Sequence, residues 1–506
     1  MTATTNGHSS TSALPSPPPT AEGPSASGHA GNGVKDHQDS FSTRAIHVGS
    51  APDPVTGAII PALYTATTFK QNGVGKLIGG HDYSRGSNPT RSALESLLTS
   101  LETCPSSHTT TDSHDDASSD EALVFASGSA ATAAMAYWAS LQRKEGGGGG
   151  ADGISGGGGH VLAVNDCYGG TARFLSRAIQ PTGIEVTYLD FEAAGEEGIR
   201  SAIRPDTRVL WLEVPTNPLL LVPPLPLIAK IVRSLPEETR PIVVVDTTFL
   251  SPFYSTPLIA ASPDALPLAD VILTSLSKYA SGHSDIILGS LTISPALVRS
   301  RPHILQGLRF LQNSFGGVPS PRDCHLMIRS IKTLGVRALR HGLNALQIAH
   351  WLSTHPGVED VRYPGLASSI AFHQVEGLLS ANARKELVYL GWEFPYTKTG
   401  EKGKKGTISH TRSLGIPFGG MIAFRLKGAD EAQTDLWLTS LRLISLAESL
   451  GGVESLVEAP YGMTHASLPA ATRERLGITP SLIRLSVGIE DVSDLIADLE
   501  QALRRI

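Results

Sequence analysis

Cysteine is scarce in this sequence: Cys104, Cys167 and Cys324 are the only three among 506 residues. Cysteines this few and this widely spaced make neither a disulfide framework nor a zinc site, and a reducing compartment suits them best. No apolar stretch approaches the roughly 20 residues needed to span a bilayer. The first 40 residues hold a single Lys or Arg, Lys35, and lack the charged-then-apolar order of an export signal or the arginines of a transit peptide. The expected location is therefore the cytoplasm. Basic charge is also in short supply, with 41 Lys and Arg against 47 Asp and Glu and a net charge of -6. That balance leaves no global footprint for nucleic acid. The 17 histidines show no metal-ligand spacing, so no metal is expected.

What is present is a 41% hydrophobic chain, enough for a large core, at a length that implies about two to four domains. Residues 1–40 are rich in Ser, Pro, Gly, Thr and His and lack apolar periodicity, so they read as a disordered tail. The Ser/Thr/Asp-rich 103–120, the Gly-rich 146–159 and the Lys/Gly/Thr-rich 397–411 read as surface insertions. Between them, short apolar runs alternate with helical patterns. His160–Asn165, Arg208–Glu213, Pro241–Asp246 and Val271–Ser275 are apolar throughout, as expected of strands covered on both faces of a parallel sheet. Helices are expected over Gly170–Gln180 and Leu225–Ser234. The repeated strand–helix order predicts an α/β doubly wound domain. Past Pro321 the pattern changes to long helices, strands over Gly420–Leu426 and Leu482–Val487, and a last helix, which predicts a smaller α+β C-terminal domain. Ligands of such sheets collect at the carboxyl ends of the strands.

Several polar residues close these runs. Lys278 follows Ser275-Leu-Ser at the end of a buried strand, where desolvation lowers an amine's pKa and favours Schiff-base chemistry; a lone lysine there is more often an exposed strand end. Asp246 closes Ile242–Val245 and is either a strand-end cap or a buried acid facing a cation, such as a pyridinium nitrogen. Phe125-Ala-Ser-Gly-Ser-Ala-Ala-Thr132 opens a helix running toward Leu141. Small residues there let backbone N–H groups reach an anion, although they also serve close packing. Tyr168 precedes two glycines that suit an exposed ring. Tyr83 and Arg85 offer a hydroxyl and a bidentate phosphate partner, or a solvated loop. Arg484 alternates with Ile483 and Leu485, which is usually the mark of a solvated position but also suits a carboxylate clamp.

Taken in order, these segments resemble the Cys/Met-metabolism family of fold-type I enzymes dependent on pyridoxal 5′-phosphate (PLP). The resemblance covers roughly residues 42–506. Its carriers are Thr43–Gly49, Tyr83-Ser-Arg-Gly-Ser-Asn-Pro-Thr90, Phe125–Ala131, Tyr168–Thr171, Glu213-Val-Pro-Thr-Asn-Pro218 and Val245–Phe249, and above all Ser275-Leu-Ser-Lys-Tyr279 with Gly282-His-Ser-Asp285. Phe310–Ser314, Ala447–Gly452, Met463–Ser467 and Ile483–Gly488 complete the series.

The resemblance implies a fold-type I large domain with a mostly parallel sheet plus a smaller α+β C-terminal domain. The boundaries expected are a tail over 1–40, an arm contacting a neighbouring subunit over 41–86, a PLP-binding domain over 87–328 and a C-terminal domain over 329–506. It further implies that Lys278 holds PLP, Asp246 pairs the pyridinium and Tyr168 stacks on the ring. Asn217 and Thr248 would contact ring substituents, and Gly128, Ser129, Ser275 and Ser277 the phosphate. Tyr83 and Arg85 would reach that phosphate from a neighbouring subunit of a homotetramer built from active-site dimers. Arg484 would bind the substrate carboxylate with help from Ser449 and Thr464, and Arg173 and Glu448 would face the distal end. The branch most similar cleaves the Cγ–S bond of cystathionine to cysteine, 2-oxobutyrate and ammonia. The γ-synthase and β-lyase reactions use the same site and stay open, and a non-enzymatic α/β binding protein is the alternative class. Thr247 departs from the usual Asn, Ser277 from the common Thr, and Asp82 from the Glu frequent in γ-lyases. Gly170 stands where methionine γ-lyases carry a cysteine, which argues against that branch.

Overall fold

The structure is a computed structural model, and it describes residues 40–103, 121–141, 158–260, 265–396, 407–466 and 468–506. The expected tail, apart from Ser40, and most of the expected insertions lie outside the described residues. The strands of the main sheet are β1 (Ala122–Phe125), β2 (Gly159–Val164), β3 (Ile184–Leu189), β4 (Thr207–Glu213), β5 (Ile242–Asp246), β6 (Val271–Thr274) and β7 (Gly289–Ile293). They form a seven-stranded sheet in the order β1-β7-β6-β5-β4-β2-β3. All neighbours are parallel except β7, which runs antiparallel to both β1 and β6. The sheet is thus mostly parallel, as expected.

Why these runs are apolar throughout is visible in where alternate residues go. Val243 and Val245 of β5 join one buried cluster, while Ile242 and Val244 join another. Leu210 and Leu212 of β4 divide from Val209 and Trp211 in the same way. Successive side chains of a strand point to opposite faces, so a sheet covered on both sides needs apolar residues at every position. One cover is the helix Gly128–Leu141, which supplies Ala131, Ala134, Met135 and Trp138 to one cluster; the helix Leu225–Arg233 supplies Ile228, Ile231 and Val232 to the other.

The C-terminal sheet contains β8 (Val358–Arg362), β9 (Met421–Leu426), β10 (Ser445–Leu446), β11 (Leu456–Glu458) and β12 (Leu482–Ser486), in the order β8-β9-β12-β11-β10. Helices Pro321–Ile331 and Leu334–Thr354 precede it and Val492–Leu503 follows it. In contrast, residues 51–87 are largely exposed and hold little regular structure: a short hairpin of Gln71–Gly73 with Lys76–Leu77 and two isolated bridges, Thr68 with Tyr83 and Ile78 with His81. Ile59, Ile60 and Val74 stand in solvent along this arm.

The helix expected over Gly170–Gln180 is present but changes type along its length: an α-helical turn Gly169–Arg173 runs directly into a π-helical turn Phe174–Ala178, and a 3₁₀ turn Gln180–Thr182 follows. Pro181 lacks the N–H that would continue it. Arg484, whose alternation with Ile483 and Leu485 left a solvated position and a carboxylate clamp both open, is buried, as is all of β12. Alternation marks a solvated face only on a sheet with one wet side, and both faces of β12 are buried. No helix among the described residues is long and apolar enough to cross a membrane.

Candidate active site

The carboxyl ends of β4, β5 and β6 lie side by side, and the residues that close them meet in one cavity of about 330 Å³. Glu213 is the register partner of Asp246 across β4 and β5, and Asp246 that of Leu273 across β5 and β6. The start of the helix Gly128–Leu141 reaches the same edge because Phe125 of β1 pairs with Gly289 of β7, and Thr274 of β6 pairs with Ser290. A Cβ on Gly128 would lie 3.1 Å from the Ser275 Cβ, so the helix start closes directly on the loop after β6. That loop carries Lys278. The C-terminal region contributes Glu448, Ser449, Leu450, Thr464 and Arg484 to the cavity.

Two parts of the cavity lining differ in chemistry. One consists of Ser127, Gly128, Ser129, Ser275 and Ser277 beside the N-terminus of a 14-residue helix. Hydroxyls, backbone N–H groups and the helix dipole together favour an anion there. The Ser277 hydroxyl is also tied to Leu288, whose N–H donates to it at 2.9 Å. The other includes Asp246, which is buried and whose Oδ1 accepts from the Thr248 N–H at 2.9 Å. Burial pushes its pKa up, opposed by the Thr248 hydrogen bonds. The Thr248 hydroxyl in turn accepts from the Ser275 N–H at 2.8 Å, which ties β5 to the Lys278 loop.

Tyr168 presents its ring to the cavity. The ring lies over Gly170, where a Cβ would come within 2.4 Å of its Cε1, and a Cβ on Gly169 would lie 2.6 Å from the Thr464 carbonyl oxygen. Both glycines are therefore required by close approach, not only by turn formation. Lys278 Nζ donates to Ser449 Oγ at 2.9 Å. Burial lowers the lysine's pKa, and the Arg484 charge lowers it further against the opposing pull of Glu458 and Glu448.

Arg484 is held on several sides. Its Nη1 donates to Asn217 Oδ1 at 3.1 Å, its Nη2 to the Ser449 carbonyl oxygen at 2.9 Å, and Nη2 lies 3.0 Å from Glu458 Oε2. Glu458 is its register partner across β11 and β12, so the pair follows from strand pairing. Thr464 donates its hydroxyl to Glu458 Oε1 at 2.6 Å. The Arg484 Nε is a buried donor without a hydrogen-bond partner among the described residues, which leaves capacity for an incoming carboxylate.

The cavity thus gathers Lys278, Asp246, Tyr168, Gly128, Ser129, Asn217, Thr248, Ser275, Ser277, Glu448, Ser449, Thr464 and Arg484. Tyr83, Arg85 and Arg173 are not in its lining. Arg85 Nε donates to Asn313 Oδ1 at 3.1 Å, and its guanidinium lies 5.5 Å from the Tyr83 ring centre. Arg173 is exposed, and its neighbour Phe174, the first residue of the π-helical turn, lines the cavity. Sequence reading gave no role to Glu458, Phe174 or Ile287. Phe174 adjoins the Tyr168-Gly-Gly-Thr segment and could have been found there; the cross-strand partner of Arg484 carried no local signal. Among the described residues no group of three or more His, Cys, Asp or Glu is placed to hold a metal.

The residues present fit PLP. An unpaired buried carboxylate suits a ring nitrogen that carries positive charge, a helix start with hydroxyls suits a phosphate, and an amine of lowered pKa suits an aldehyde.

Comparison with known proteins agrees. The profile of the family described as Cys/Met metabolism PLP-dependent enzyme matches residues 42–383 and 406–504. A cystathionine gamma-lyase of Dictyostelium discoideum is 36% identical over 469 residues, spanning 91% of this chain and 97% of the relative. A cystathionine gamma-synthase of Mycobacterium tuberculosis is 38% identical over 465 residues, spanning 91% and 96%. The crystal structure of cystathionine gamma-lyase from yeast superposes with a TM-score of 0.72 at 33% identity, covering 93% of this chain and 99% of that one.

Proposed function

The chain belongs to the Cys/Met metabolism family of PLP-dependent enzymes, and from that premise we propose that it cleaves the Cγ–S bond of cystathionine, consuming water and releasing cysteine, 2-oxobutyrate and ammonia. PLP is its cofactor. When bound, PLP withdraws electrons from the amino-acid carbon skeleton and so makes its α- and β-protons removable.

The chain's own residues do the rest. Lys278 Nζ holds the cofactor in the resting enzyme. With substrate seated, that nitrogen takes the α-proton, a task suited to an amine whose pKa is lowered by burial and by Arg484. Asp246 balances the charge of the ring nitrogen. Tyr168 would cover the ring face, Asn217 and Thr248 would meet its substituents, and Gly128, Ser129, Ser275 and Ser277 would hold the phosphate. Arg484 takes the substrate carboxylate, oriented by Glu458 and Asn217, while Ser449 keeps the Lys278 amine near the α-carbon. Tyr83 and Arg85, outside the cavity of their own chain, complete the phosphate site of a neighbouring subunit, with residues 41–86 as the reaching arm, 87–328 as the PLP-binding domain and 329–506 as the C-terminal domain. The assembly is a homotetramer of two such dimers.

One observation carries the choice of substrate: Glu448 lines the cavity that also holds Lys278 and Arg484, and a carboxylate there suits the distal ammonium of cystathionine. A second reading, γ-synthase on the same site, is favoured by the relative of that name at 38% identity; a β-lyase would break the other C–S bond. Product analysis separates the readings. PLP-loaded protein given cystathionine should form cysteine and 2-oxobutyrate. Homocysteine with pyruvate would instead mark a β-lyase, and efficient condensation of an activated homoserine ester with cysteine, without cleavage, a γ-synthase.

A further inference from the structure

Glu213 is the acidic residue of the cavity to which the mechanism above gives no task. It closes β4 and is 5% exposed. Its Oε2 accepts from the Tyr168 N–H at 2.9 Å. Its backbone lies in register with Asp246 on the adjacent strand. The ionisable groups that interact with it electrostatically include Asp246 on β5, and Asp166 and the buried Cys167 on the segment after β2. No Lys, Arg or His forms an ion pair with it among the described residues. Two carboxylates are therefore buried on neighbouring strands, and PLP supplies one cation to the pair, its ring nitrogen. A second charge buried without a partner is disfavoured against taking up a proton.

We propose that Glu213 is a positioning residue that works uncharged: its carboxyl fixes the backbone under Tyr168, and so the ring beside the cofactor, while leaving Asp246 as the single negative charge toward the ring nitrogen. Burial, reinforced by the charge of Asp246 and opposed by the Tyr168 and Asn217 backbone N–H groups that donate to it, holds the Glu213 pKa well above the usual carboxylate range, in keeping with this role. The Tyr168 backbone needs such an anchor because Gly169 and Gly170 follow it, and neither carries a side chain to hold the turn. The inference rests on the seat of PLP between Tyr168 and Asp246 proposed above.

The test uses the PLP-loaded protein and its Glu213→Gln and Glu213→Leu variants. Two readouts are followed, the circular dichroism induced in the bound cofactor and the pH midpoint of its absorbance change. Gln keeps an acceptor for the Tyr168 N–H and carries no charge, so both signals should match the parent. Leu fills the space without an acceptor. Its induced signal should fall at saturating cofactor, and PLP should bind about tenfold more weakly, as expected when a buried donor loses its partner. A midpoint shift of about one unit or more in Glu213→Gln would show that the residue works charged and overturn the proposal. A Leu variant like the parent in both signal and affinity would overturn the positioning role. If the Leu variant does not fold, the Gln variant decides. Borohydride fixation of the cofactor in the parent checks the seat separately. A label on a residue other than Lys278 would overturn the seat and this inference together, whereas a label on Lys278 with a parent-like Leu variant would overturn the role of Glu213 alone.

Discussion

The Lys278 amine donates to the Ser449 hydroxyl at 2.9 Å across 171 positions of sequence. Ser449 holds its place with φ at 96°, a left-handed conformation that a side chain disfavours. Next to it Gly451, with φ at 74°, lets the C-terminal segment approach the Lys278 loop so closely that a Cβ would lie 2.6 Å from the Tyr279 nitrogen. The main sheet and the C-terminal region are thus joined at the amine itself.

That strain and that contact can be separated by substitution. Ser449→Ala loses the hydroxyl and keeps the strain, whereas Ser449→Gly loses the hydroxyl and relieves it. The Gly variant should be more stable than the Ala variant by about 1 kcal/mol. Both should lose about tenfold in kcat if the hydroxyl positions the amine. Denaturant unfolding and steady-state turnover measure the two effects; equal stability of the variants would deny the strain.

Asp246 gives a prediction with a sign. In the chain without cofactor, burial holds its carboxyl above the usual Asp range. Between the ordinary Asp value and that raised value the folded state binds more protons than the unfolded chain, so its contribution to stability falls as pH rises toward neutrality. Asp246→Asn should therefore stabilise the cofactor-free protein at pH 7 by roughly 1–3 kcal/mol and flatten this pH dependence. The same change should weaken PLP binding by about thirtyfold or more, because the ring nitrogen loses its counter-charge. Unchanged PLP affinity would remove Asp246 from that role.

Much of this site is legible in the sequence. Lys278 and Asp246 stand out because each directly follows or closes an apolar strand, and a parallel sheet sends such strand ends to one edge. Strands covered on both faces announce themselves by unbroken apolar runs. What stays hidden depends on tertiary pairing. Glu458 meets Arg484 because β11 and β12 pair in register, and nothing local to either residue signals it. Arg484 itself looks solvated, since alternation cannot tell a wet sheet face from one covered by another part of the chain. The antiparallel β7 carries no distinguishing pattern either, as its residues are buried like those of its parallel neighbours.

Glu448 is exposed at the cavity, so its effect should be modest and selective. Glu448→Ala should lower kcat/KM for cystathionine by about fivefold, the size expected of an exposed charge contact. Homoserine, which lacks a distal amino-acid group, should be turned over with little change. Equal losses for both substrates would place Glu448 away from the distal end.

Tyr83 and Arg85 lie outside the cavity of their own chain, which leads to a subunit-mixing prediction. Arg85→Ala and Lys278→Ala chains, each inactive alone, should form hybrid dimers with one intact site, recovering at most about a quarter of parent activity after random exchange between two-fold related subunits. Hybrids verified by mass and still inactive would show that the site is not shared.

Whether Lys278 holds PLP in the cavity closed by Asp246, Tyr168 and Arg484 is read out by borohydride reduction of the PLP-loaded protein, followed by proteolysis and mass mapping of the pyridoxyl label. A single labelled peptide containing Ser275-Leu-Ser-Lys-Tyr279 is expected, with the label on Lys278 and none fixed in Lys278→Ala. A label on a different lysine, or stoichiometric labelling of the Lys278→Ala protein, would remove Lys278 from that role.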